Sequence, residues 1–122
     1  MSSPDDRFRL SMGRLTTLLS YWTPPRFSAA ASPLLQEATA GLGAVPERGG
    51  TVADQLAAVV QVLADVGADT EGQPRRPVPR AAEPAGMVDQ LTVLGEDVVA
   101  AGPTAEDLGH LTERLDALRA AL

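Results

Sequence analysis

A chain of 122 residues with 44% hydrophobic content has material for one modest core, and only 3% aromatics leaves that core to Leu, Val and Ala. Cysteine is absent, which excludes a disulfide framework, thiolate metal sites and thiol nucleophiles, while a net charge of −6 argues against nucleic acid or an anionic membrane as partner. Lys, Ile and Asn are missing too and every basic residue is Arg, a bias that points to a high-GC bacterial genome and, without Ile, away from extensive sheet.

Asp5, Asp6, Arg7 and Arg9 crowd the first ten residues, a poor start for a secretory signal, so a cytoplasmic location is expected. Phe8, Met12, Leu15, Leu19 and Trp22 recur at steps of four and three, predicting a first helix over 4–22. Ser3-Pro4-Asp5-Asp6 supplies its cap, a hydroxyl for a free backbone N–H and an acid for the positive helix start. Thr23-Pro24-Pro25-Arg26 ends the helix and is expected to be non-helical, because neither proline continues it.

A shorter second helix over 33–43 is read from Leu35, Ala38, Leu42 and Val45, with Pro33 in its first turn. Val52, Leu56, Val59, Leu63 and Val66 repeat the long stripe and predict a third helix over 52–67, capped by Thr51 and closed by Gly67. Asp54, Gln55, Gln61 and Asp65 interrupt this most apolar stretch, so it is not read as a membrane span.

Residues 69–83 form a long Pro/Arg-rich connection. Extended, residues 73–83 reach about 34 Å, whereas a helix of roughly 16 residues is about 24 Å long. The connection is therefore long enough to return along the third helix and start the fourth parallel to it. Met87, Leu91, Leu94, Val98 and Ala101 predict that fourth helix over 84–101, and Leu108, Leu111, Leu115, Leu118 and Leu122 a last one over 104–121. An offset of 35 residues superposes Asp54-Gln55-Leu56 on Asp89-Gln90-Leu91, which fits either an old duplication or chance convergence of two Ala/Val/Leu helices. The fold class expected for 1–122 is all-α, a single-domain bundle of four or five helices with the Pro/Arg-rich connection before the fourth.

Reactive groups are sparse. His110 is the lone histidine, flanked by Glu106 and Asp107 on one side and Arg114 on the other, and reads as a surface residue of the last helix. Acting as a catalyst, it needs a carboxylate from another helix. The carboxylate pairs lack the Glu-x-x-His motifs of a di-metal bundle, and no nucleophile-elbow, phosphate-loop or dinucleotide motif occurs. No catalytic residue, metal ligand or cofactor site is assigned.

Candidate partner contacts come from two unusual segments. Tyr21, Trp22 and Phe27 are three of the four aromatics and flank the Pro24-Pro25 turn with Arg26. Trp22 continues the core stripe, while Tyr21, Arg26 and Phe27 are candidates for an interface. Pro74-Arg75-Arg76-Pro77-Val78-Pro79-Arg80 adds Arg75, Arg76 and Arg80, as a solvated linker, a ligand of an aromatic groove, or a basic strip attracted to acidic helices. The expected function is non-catalytic association with another protein or with itself, as adaptor, accessory subunit or regulator. The alternatives are a bundle holding a small apolar ligand near Trp22, and an enzyme using His110.

Overall fold

The computed structural model describes residues 2–122, and among them lie six helices: α1 (Pro4–Ser20), α2 (Pro24–Ser28), α3 (Pro33–Gly41), α4 (Val52–Glu71), α5 (Pro84–Ala101) and α6 (Ala105–Ala121). The described residues form no strand, only an isolated bridge between Ala30 and Thr51. No described helix is long and apolar enough to cross a membrane.

Local chemistry sets the helix starts. Ser3 Oγ accepts the Asp6 N–H, and Thr51 Oγ1 likewise accepts the Asp54 N–H at 3.1 Å. In both caps the aspartate reaches back to accept the N–H of the cap residue, so two unpaired donors are satisfied reciprocally. Thr104 caps α6 through its hydroxyl alone.

Four boundaries depart from the sequence expectation, the first at Ser20, where α1 ends two residues before 22. The Pro24-Pro25 segment is helical, and it supplies a sixth helix where four or five were expected. Both prolines sit in the first turn of α2, where their missing N–H groups have no intrahelical partner to lose, so the residues that stop α1 at Ser20 also start α2. α3 ends at Gly41, two residues early, with Leu42 closing its last turn. α4 runs through Gly67 to Glu71 and closes at Gly72, whose φ of 68° lets the Gln73 N–H donate to Ala68 O and the Gly72 N–H to Asp69 O. Pro74 lies just beyond, so the second glycine, nearer the proline, ends the helix.

The core is one cluster in which Phe8, Leu15, Leu56, Val59, Leu91, Val98, Leu115 and Leu118 are sealed from solvent. α1 packs between α5 and α6, and α4 packs against α5 and α3. α1 and α5 meet so closely at Gly95 that a Cβ there would lie 3.1 Å from Met12 Cε. Ser11, buried on α1, donates to Asp116 Oδ1 on α6 at 2.7 Å.

Residues 73–83 are tied back along α4. Arg75 grips Asp69 with two hydrogen bonds of 2.9 and 2.6 Å. One turn or more toward the helix start, Gln61 donates to Arg76 O at 3.0 Å and accepts the Val78 N–H at 2.8 Å. Arg80 then reaches Asp54, in the first turn, at 2.6 Å. The segment thus travels from the end of α4 to its beginning, and α5 departs from that end with its Gln90 donating to Pro79 O. α4 and α5 set out from the same end and lie side by side.

Candidate interaction groove

α3 has nine residues and α6 has 17, which at 1.5 Å per residue makes them about 13 and about 25 Å long. The shorter helix therefore leaves part of the α6 flank uncovered, and two hollows lie along α6 with Arg114 at the border of each. The upper stretch, about 530 Å³, runs between Leu34, Glu37, Ala38 and Gly41 of α3 and Arg114, Ala117, Ala120 and Ala121 of α6. The lower, about 400 Å³, has Leu42, Val62, Val66, Asp69 and Thr70 on one side and Pro103, Asp107, Leu108, His110 and Leu111 on the other.

The upper stretch has a floor of small side chains, with Leu34, Glu37 and Arg114 as its large wall residues. Leu34 is 63% exposed beside a floor of alanines and Gly41. Its neighbour Leu35 is buried, since adjacent helical residues point about 100° apart and only one of the pair can enter the core. Glu37 and Arg114 sit on opposite walls, and neither takes part in a salt bridge among the described residues.

The lower stretch brings His110 and Asp69 of α4 to one hollow. Both Asp69 oxygens are engaged by Arg75, and that hydrogen bonding holds its carboxyl below the usual aspartate range. His110 Nε2 lies 3.8 Å from Glu106 Oε1, a long contact, and no hydrogen bond joins it to Asp69 among the described residues. The Thr70 hydroxyl donates to Val66 O at 2.7 Å. No His, Asp or Glu trio among the described residues is placed to hold a metal ion. What the hollow offers is apolar surface with an edge of mixed charge, from Asp69, Asp107, His110 and Arg114; no hydrogen bond among the described residues links its imidazole, carboxylates and hydroxyl.

The chain matches no family model, no curated protein and no solved structure.

The residues singled out from the sequence fall elsewhere. Tyr21 is 84% exposed. The Arg26 guanidinium lies 4.2 Å from the centre of the Trp22 ring, and Phe27 meets that ring edge-on at 5.3 Å. Phe27 is only 4% exposed and belongs to the core, so its ring is not available as a surface contact. The reason is α2: one helical turn after the prolines rotates Phe27 inward. Arg75 and Arg80 are likewise committed within the fold, to Asp69 and Asp54, while the Arg76 side chain is exposed. A hollow of about 390 Å³ does lie beside Trp22, between Leu19, Phe27 and Val88, with Glu83 and Asp89 also lining it. The Trp22 Nε1–H itself is buried without an acceptor among the described residues.

Leu34, Glu37, Ala117, Ala120 and Ala121 escaped sequence reasoning. Two signals were present. Leu34-Leu35 forces one leucine outward, and alanines at 117, 120 and 121 run beside the leucine seam of α6 at helical spacing.

Proposed function

We propose that this chain acts by protein–protein association, as an adaptor, accessory subunit or regulator, and that the α6 groove is its contact surface. The observation that carries this reading is the exposed Leu34 beside the small-residue hollow of about 530 Å³, an apolar trough between helices suited to receiving a helix face. Nucleic acid and membrane surfaces are not among the partners proposed, given the net charge of −6. The arginine-only, cysteine-free composition supports a cytoplasmic setting in a bacterium of high-GC genome.

The test is affinity capture from the native host with wild-type chain and with Ala117→Arg as baits. A charged side chain in the trough is expected to abolish specific capture while the helical content, followed by circular dichroism, stays unchanged. Equal capture by both baits contradicts the reading.

Two other readings each have one supporting observation. Small-ligand binding is supported by the hollow beside Trp22. Acid–base catalysis is supported by His110 and Asp69 facing one cleft, although Asp69 is spoken for by Arg75. A ligand that survives purification favours the former, and activity lost in His110→Ala at unchanged stability favours the latter.

A further inference from the structure

We infer that the upper groove is filled by a second copy of this chain, making a two-fold symmetric dimer; this rests on the groove being the association surface. A two-fold interface uses one patch twice, so the patch has to complement itself. This face carries both halves of such a contact: the projecting Leu34, and the hollow left by Ala117, Ala120 and Ala121.

Charge agrees with shape. Glu37 lies on the α3 wall and Arg114 on the α6 wall, opposite in sign and both without a salt-bridge partner among the described residues. Gly41 and Leu42, at the end of α3, sit where Arg114 borders both stretches, so α3 runs antiparallel to α6 with Leu34 toward the α6 C-terminus. A two-fold axis along the groove lays α3 of each copy over α6 of the other and keeps that direction. Leu34 then drops toward the alanines of the other copy, and Glu37 faces Arg114 twice.

The experiment is sedimentation equilibrium on the purified full chain over a concentration series. The wild type is expected to approach twice the 12.7 kDa of one chain. Glu37→Arg and Arg114→Glu are each expected to weaken dimerisation about tenfold or more, and the double reversal to restore it, because the pairs re-form with exchanged signs. Leu34→Asp, at an exposed position, provides an independent disruption that does not disturb the core. A dimer indifferent to Leu34→Asp, or a double reversal that stays monomeric, overturns the inference. A monomeric wild type does the same: if its capture of a host protein is lost in Ala117→Arg, the second copy is wrong and the groove reading stands, whereas capture unaffected by Ala117→Arg removes both.

Discussion

At Asp54 one carboxylate closes two structures. Its Oδ2 accepts the Thr51 N–H at the start of α4, and its Oδ1 accepts from Arg80 at the end of the returning segment. The side chain is 8% exposed, and hydrogen bonding from Arg80 first, then from Thr51, outweighs desolvation and holds its pKa below the ordinary 3.8. A pKa that is lower in the folded state than in the unfolded one adds stability above pH 3.8, and that stability is lost as pH falls through the folded value. Asp54→Asn is therefore expected to cost about 1–3 kcal/mol at neutral pH. The gap between wild type and variant should close on acidification below pH 3.8, as read by urea unfolding at several pH values. A gap that widens in acid contradicts this assignment. The capping half of this arrangement was legible in Thr51-Val52-Ala53-Asp54, whereas the pairing with Arg80, 26 residues away, is a product of the route the chain takes.

Among the helices, two glycines in the interior of long helices behave oppositely. Gly67 lies inside α4 with open space where a Cβ would stand, while Gly95 lies buried under Met12. Gly67→Ala is expected to stabilise the protein by up to about 1 kcal/mol through helix propensity alone. Gly95→Leu is expected to destabilise it by about 1–3 kcal/mol by forcing α1 and α5 apart. Thermal unfolding of both variants checks the contrast, and equal effects contradict the close α1–α5 approach. The leucine and valine stripes made the long helices legible because burial follows their spacing: Leu56, Val59 and Leu63 are all sealed. α2 was not legible, because Pro24-Pro25 reads as a stop from one side and as a first turn from the other. The attraction of the basic residues in 73–83 to an acidic helix was legible in the charge pattern, but the part played by Gln61 was not. Gln61 sits on the outer side of the stripe and looks like a solvated residue, yet its amide pairs with the backbone at Arg76 and Val78 as a neighbouring strand would. Gln61→Ala should speed exchange of the Val78 amide hydrogen roughly tenfold, the equivalent of one lost hydrogen bond. An unchanged rate contradicts the clamp.

For the molecule as a whole, function was the least legible property, and the reason is geometric. Sequence patterns mark clusters that are local, such as Tyr21 to Phe27 or the arginines at 75, 76 and 80, and the fold uses several of these internally. The α6 groove has no local pattern. It exists because a nine-residue helix is packed against a 17-residue one, and because α4 arrives only at the lower half of that flank. His110 and Asp69, 41 positions apart in sequence, meet at one cleft through the same packing. The claim on which the account turns is that the bare flank of α6 is a contact surface. An isotope-labelled sample followed by amide NMR from dilute to concentrated solution tests it most directly. Shifts and broadening confined to Leu34–Gly41 and Arg114–Ala121 are the predicted result. Changes centred on Tyr21 and Arg26 or on α5 would contradict it, whereas monomer spectra identical at every concentration would contradict only the second copy as its occupant.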